Sequence, residues 1–379
     1  MPDKIISNAR IILADEVVEG NIRISDGLIA DLGSGATTVP SLDFEGDYLI
    51  PGLVELHTDN LERHVMPRPK SYWPTESAVI NHDREVASAG ITTVFDALSV
   101  GYLEKGSRGP EAIRELAGAI GGLQAKGALK VDHFIHWRCE VSGDHTFADT
   151  EELCQNPATG LISVMDHTPG QRQFVSLEAY HTYYQGKYGL TDEQMKEFIH
   201  ERKDAQLRNS ARNRRSIVAL AHSLNIPLAS HDDATVEHVA EAIEDGIVVS
   251  EFPTTLAAAR AGHANSLSVL MGAPNVVRGK SHSGNVSARE LANEGVLDIL
   301  SSDYVPFSLL YGATLLARHC ESISLPQAIA TVTRNPAEQI GLLDRGEISI
   351  GKRADLVRFR MDGDVPAIVE VWRGGERIG

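Results

Sequence analysis

From residue 51 to residue 344, short apolar runs alternate with segments of helical periodicity. That alternation is the pattern of a parallel sheet covered by helices. The apolar runs fall at 53–59, 92–98, 131–140, 161–167, 227–232, 247–252, 266–273 and 296–303. Eight such units predict an α/β fold of the (β/α)8 TIM-type barrel class. A doubly wound sheet is the alternative, but no Gly-x-Gly-x-x-Gly follows the first strand. The two ends of the chain read differently. Residues 4–13, 20–25, 28–32 and 48–50 look like short strands parted by turn signals such as Ser25-Asp-Gly27. Residues 346–357 and 367–372, with a Gly374-Gly375 turn, have the same character. Residues 1–50 and 345–379 are therefore expected to form one small β-sandwich domain, and 51–344 the barrel.

Helices are expected at 76–89, ending at Gly90, and from Pro110 to about Lys126. Thr191-Asp-Glu-Gln194 is a capping-box sequence that opens a long polar helix toward Leu224. It makes 171–226 an oversized insertion. Its cations, Lys196, Arg202, Lys203, Arg208, Arg212, Arg214 and Arg215, are interleaved with acids and read as a solvated face.

The 379 residues are 42% hydrophobic, enough for one large core and a smaller one. A net charge of −17 repels phosphates at long range, so neither nucleic acid nor an acidic membrane surface is the expected partner. An anionic small molecule must then be held by a local cationic pocket. Cys139, Cys154 and Cys320 give no disulfide framework and no Cys-x-x-Cys metal motif. With no run of 18 apolar residues and a charged N-terminus, a cytoplasmic protein is expected, one that could form homo-oligomers.

The chemistry begins at Pro51-Gly-Leu-Val-Glu-Leu-His57-Thr-Asp59. Strand alternation points His57 and Asp59 the same way, with Glu55 one layer deeper. Arg63, His64, Arg68 and Lys70 follow at once, so an anionic substrate beside a metal is indicated. In 131–140 the same alternation turns His136, Arg138 and Glu140 inward; Glu140 then sits at the barrel mouth or forms a buried ion pair with Arg138. His167, His231 and Asp303 each close a later apolar run. Six residues, His57, Asp59, Glu140, His167, His231 and Asp303, thus converge on strand C-terminal ends. They suit one or two divalent metal ions, zinc first, manganese or iron next. Arg63, His64, Arg68, Arg138 and Arg172 flank them as phosphate-binding candidates. The loop Gly279-Lys-Ser-His282-Ser-Gly-Asn285 fits either a phosphate cradle using His282 and Asn285 or a surface turn.

This constellation resembles the amidohydrolase superfamily of metal-dependent hydrolases over nearly the whole chain. Pro51–Asp59 is similar to that family's Pro-Gly-x-x-Asp-x-His-x-His first strand, and Asn335–Gly341 with Gly346–Val357 to its return into the small sheet domain. Asp59 stands at the second histidine, Glu55 at the aspartate, and no strand-end lysine serves as a bridge, which would leave bridging to Glu140. The family's usual ligands lie on strands 1, 4, 5, 6 and 8, whereas those chosen here lie on 1, 3, 4, 5 and 8. Within the superfamily, His57–His64 with Pro67-Arg-Pro69, His136–Glu140 and Asp166–Gln171 resemble a branch of diphosphatases used in phosphonate metabolism. The resemblance implies metal-dependent cleavage of a sugar 5-triphosphate to the 5-phosphate and pyrophosphate, with Asp303 as catalytic base. A cyclic amidase or a deaminase acting on a C–N bond is the alternative enzyme. A metal-free assembly protein is the non-enzymatic one, opposed by the full ligand set.

Overall fold

The computed structural model describes residues 3–101, 109–172, 185, 190–279 and 285–379. The chain opens with five strands, β1 (Lys4–Ile12), β2 (Val17–Ser25), β3 (Leu28–Ser34), β4 (Leu42–Asp43) and β5 (Tyr48–Pro51). Asp26 and Gly27, at φ 49° and 79°, make the tight turn between β2 and β3, where both central residues need the left-handed region. Eight strands follow: β6 (Leu53–Thr58), β7 (Ile91–Val100), β8 (Asp132–Glu140), β9 (Thr159–Met165), β10 (Leu228–His231), β11 (Val249–Glu251), β12 (Ser268–Gly272) and β13 (Ile299–Ser301). The last three are β14 (Leu356–Asp362), β15 (Val365–Arg373) and β16 (Glu376–Arg377).

Both chain ends build one sheet, ordered β16-β15-β14-β5-β1-β2-β3 with β4 on β1. Its core is apolar, with Ile6, Ile22, Phe44, Leu49, Leu356 and Trp372 among its buried members. Residues 346–355 are a correction to the sequence reading: they are turns, bent by Gly346 and Gly351 at φ 85° and 88°, and the strand begins only at Leu356.

Strands β6 to β13 lie side by side in chain order, giving the (β/α)8 barrel. All six residues of β6 are buried, as expected of a strand covered on both faces. Its end meets the last strand through a parallel bridge between Thr58 and Asp303. Below that bridge the Glu55 carboxylate accepts the His57 N–H at 2.7 Å and the Ser302 N–H at 2.5 Å.

By compactness the chain divides into two units, Met1–Asp96 with Ala119–Phe134 and Leu270–Gly379, and Ala97–Gly118 with Ile135–Val269. In the second unit the long helix spans Asp192–Leu224, opened by the Thr191/Gln194 capping box and closed by Asn225 at φ 53°. Its polar stripe is not all solvated. Arg202, Asn209, Ser210, Asn213 and Arg214 are buried, while Lys196, Arg208, Arg212 and Arg215 are exposed. The reason is a set of backbone acceptors in the loop after β8. Asn213 Nδ2 donates to the Val141 and Gly143 carbonyls at 3.0 and 2.7 Å, and Asn209 Nδ2 to that of Ser142 at 3.1 Å. Arg214 pairs with Glu241 and Asp245.

Replacing Asn213 by Leu leaves two carbonyls without their amide donor inside the protein. The expected loss is about 1–3 kcal/mol, read as a lower urea midpoint at unchanged slope.

Candidate metal centre

In the first unit, His57 is buried on β6 and Asp59 follows the strand, His57 Nε2 lying 4.0 Å from Asp59 Oδ1. The Asp303 carbonyl accepts the Asp59 N–H at 2.8 Å and the Thr58 hydroxyl at 2.7 Å. Asp303 itself has φ 55°, a conformation non-glycine residues keep only where neighbours hold it. Burial pushes the Glu55 carboxyl up to about 8, against the pull of its Ser302 and His57 donors.

In the second unit, two histidines converge on one carboxylate oxygen. His167 Nε2 and His231 Nε2 each lie 3.5 Å from Asp232 Oδ2, which is buried and has no hydrogen-bond partner. Ligands held at about 2.0–2.2 Å in tetrahedral geometry stand about 3.3–3.6 Å apart. The spacing here matches that, and it is too long for a good hydrogen bond. The outer nitrogens are also engaged: His167 Nδ1 with Glu140 Oε2 at 3.0 Å, and His231 Nδ1 with Glu251 Oε2 at 3.2 Å. Carboxylates in those positions direct both Nε2 lone pairs inward, as they do around ligating histidines generally. Asp232 sits at φ 56° directly after β10, and Phe252 at 52° directly after β11. The donor set and the orphaned Asp232 oxygen therefore fit a divalent cation.

Glu140 is saturated by donors: Ser142 Oγ at 2.7 Å, the His167 N–H at 3.2 Å and the His167 ring. Burial works against its ionisation, but the His167 hydrogen bond and charge hold its carboxyl below the usual range. Burial also opposes a charged His167, yet Asp232 and Glu140 lift the ring to about 9, so a proton competes with any metal there.

A second histidine cluster, in the first unit, has different spacing. His82 Nε2 is 2.7 Å from Asp96 Oδ1, and His133 Nδ1 is 2.7 Å from Asp96 Oδ2. Those are hydrogen bonds, too short for two ligands of one metal. His133 Nε2 reaches Asp83 Oδ1 at 3.3 Å, and Asn60 Nδ2 reaches His82 Nδ1 at 3.0 Å. Burial pushes His133 down, but the Asp96 charge and the bonds to Asp83 and Asp96 raise it to about 9. Burial opposes ionisation of Asp96, yet the His133 charge leads the effects that hold its carboxyl below the ordinary range.

The expected phosphate-binding residues divide. Arg63 and His64 lie on helix Asn60–Val65 and both meet Glu85, His64 Nε2 at 2.6 Å. Arg68 is exposed on the following loop. Burial opposes ionisation of Asp232, but the charges of the two histidines, and after them that of Arg138, hold its carboxyl below the usual range. Arg172 is buried and carries two carboxylate partners, Asp233 and Glu241. Asn285 is half-buried, and His282 lies outside the described residues. Sequence reasoning missed Asp232 and Glu251. Both ended apolar runs and carried the signal used for the others, Glu251 on the sixth strand, where the family keeps a ligand.

Comparison with known proteins agrees with this architecture. The description "Amidohydrolase family" matches residues 84–378, so the chain belongs to the amidohydrolase family, whose hydrolases act from a barrel of this kind. More particularly, it is 47% identical over 376 residues, 99% of this chain and 100% of the relative, to the alpha-D-ribose 1-methylphosphonate 5-triphosphate diphosphatase of Escherichia coli (strain K12). An adenine deaminase of Ligilactobacillus salivarius (strain UCC118) is 25% identical over 99% of this chain and 57% of its own length. Among solved structures, N-acetyl-D-glucosamine-6-phosphate deacetylase of Mycobacterium smegmatis superposes with a TM-score of 0.65 at 14% identity, covering 100% of both chains. Dihydropyrimidinase of Brevibacillus agri NCHU1002 gives 0.58 at 16% identity, covering 99% of this chain and 95% of that one. Those two likenesses speak to the fold.

Two outcomes are expected. Glu140→Gln should weaken metal binding by about 10- to 100-fold in a chelator competition, and Asp232→Asn should weaken it further. In the second cluster, His133 is raised from 6.5 to about 9, so its contribution is complete below its unfolded value and lost as pH rises through the folded one. Asp96 is lowered from 3.8, so its contribution is present above that value and lost only as pH falls through the folded one. Wild type should therefore lose on the order of 3 kcal/mol between about pH 7 and about pH 10. His133→Gln should show a flatter dependence in the same denaturant series.

Proposed function

We propose that this chain hydrolyses α-D-ribose 1-methylphosphonate 5-triphosphate to the 5-phosphate and pyrophosphate in phosphonate utilisation. The observation that supports this most is the full-length, 47% identity to the diphosphatase of that substrate. The cyclic amidase or deaminase reading has no support of that strength. Residues 51–344 are read as the hydrolase domain, and 1–50 with 345–379 as the small β domain.

The proposed metal residues are His57, Asp59 and Asp303 in the first unit and His167, His231 and Asp232 in the second, with Glu140 and Glu251 orienting the two histidines rather than bridging. One or two divalent ions, zinc first, would supply an acidified water and positive charge against the phosphates. Asp303 would accept the proton of the attacking water, its position fixed by the backbone bonds from Thr58 and Asp59. Arg138 would neutralise charge near Asp232, and Arg68 on the exposed loop would hold a phosphate oxygen. Arg63 and His64 are both paired with Glu85, so they would serve the substrate only through that carboxylate's loss or sharing. Arg172 is satisfied by Asp233 and Glu241 and is read as a brace for the loop after β10. Asn285 and His282 remain candidates for a phosphate cradle.

Phosphorus NMR of the purified protein with the ribose 5-triphosphate should show pyrophosphate. Arg68→Ala should lower kcat/KM by roughly 10- to 150-fold, the worth of one charge-assisted hydrogen bond of about 1.5–3 kcal/mol, with metal content unchanged. A wild-type protein that turns over a cyclic imide faster than the triphosphate would overturn the assignment.

A further inference from the structure

The cluster beneath the barrel wall does not end at Asp96. His82 sits on helix Thr75–Ser88, Asp96 on β7, and His133 on β8, all fully buried. From Asp96 the contacts run outward through His82 to Asn60, the residue directly after Asp59. The Asn60 N–H donates to Thr58 Oγ1 at 3.2 Å, and that hydroxyl donates to the Asp303 carbonyl at 2.7 Å. Asp83 anchors the far end, accepting the Lys130 and Val131 N–H groups at 2.7 and 3.0 Å as well as His133.

One pattern of protons satisfies every link. The Asp303 carbonyl can only accept, so the Thr58 hydroxyl donates to it and accepts from Asn60 N–H. Asn60 Nδ2 donates to His82 Nδ1, which puts the His82 proton on Nε2, where it donates to Asp96 Oδ1. His133 donates from both nitrogens, to Asp96 and to Asp83. Water cannot substitute at His82, Asp96 or His133, since none of them touches solvent. The ordered end of this chain is the strained turn at Asp303, whose left-handed backbone needs neighbours that over-determine it.

We propose that the chain Asp83–His133–Asp96–His82–Asn60–Thr58 is a positioning device that sets the backbone carrying Asp59 and Asp303 for the hydrolytic step. The inference rests on the reading of Asp303 as the proton acceptor. None of the relay residues touches substrate; they act by fixing the turn, and small displacements of a reacting group are costly in rate.

His82 is the discriminating position. Glutamine there can accept from Asn60 and donate to Asp96, as the imidazole does, whereas leucine can do neither. His82→Leu should lower kcat by about 10- to 100-fold with KM and metal content within about twofold of wild type, and His82→Gln should recover most of that loss. Nitrogen-15 NMR should place the wild-type His82 proton on Nε2. A folded His82→Leu with wild-type kcat overturns the proposal, since a purely structural network would lower the melting temperature alone. If His82→Leu does not fold, Asn60→Ala cuts the same chain at its next link, and wild-type kcat in that variant is equally fatal. Absence of pyrophosphate release by wild type would sink the substrate reading by itself. The relay would then be judged by the same kcat ratios on whichever substrate wild type turns over.

Discussion

A single buried carboxylate joins the beginning of the barrel to its end. Glu55 takes a backbone N–H from its own strand and another from Ser302, so both of its oxygens serve the seam between β6 and β13. Closure of a barrel requires the first and last strands to meet in a set register. Here that register is what brings Thr58 level with Asp303. Any shift of the seam would move His57, Asp59 and Asp303 together, because all three lie within a few residues of the Glu55 contacts. Aspartate, one methylene shorter, is the residue the family pattern has at this position, so the longer side chain must be accommodated by the spacing of these two strands.

The same economy of carboxylates organises the candidate group around Asp232. His167 and His231 share an inward target, Asp232, and each is steered from behind by its own acid, Glu140 or Glu251. A histidine with an acceptor on Nδ1 is held in one tautomer with its Nε2 lone pair exposed, which is the form a metal requires. Three carboxylates in and around two rings would repel strongly without compensation. Arg138 and the two histidines supply the positive charge that keeps Asp232 ionised despite its burial.

Much of this was legible in the chain. All eight barrel strands were found from apolar runs, because a strand buried on both faces leaves a continuous signal. The Thr191 cap was legible because its side-chain chemistry is local. Strand-end residues such as His57, His231 and Asp303 stood out because polarity after an apolar run is conspicuous. Asp232 was harder: it stands between His231 and Asp233, and only the left-handed backbone decides which acid faces the histidines. Arg172 looked like a phosphate ligand until its two acidic partners, distant in sequence, were in place. His82, Asp96 and His133 come from a helix and two strands, so no spacing announces them. The burial of the long helix's polar stripe was likewise hidden, since its partners are main-chain carbonyls and acids distant in sequence.

That last feature bears on how the protein can change over evolutionary time. Asn209 and Asn213 grip the carbonyls of Val141, Ser142 and Gly143, groups that every amino acid provides. At those three carbonyls the docking of the inserted helix does not read the loop's side chains, although Asn209 also donates to the Asp144 carboxylate. Val141 can drift without dislodging the helix that covers it, whereas Ser142 is tied to Glu140 and Gly143 has no room for a side chain beside Thr146 and Gly101. Such an attachment holds a covering helix in place while a position beneath it stays open to substitution.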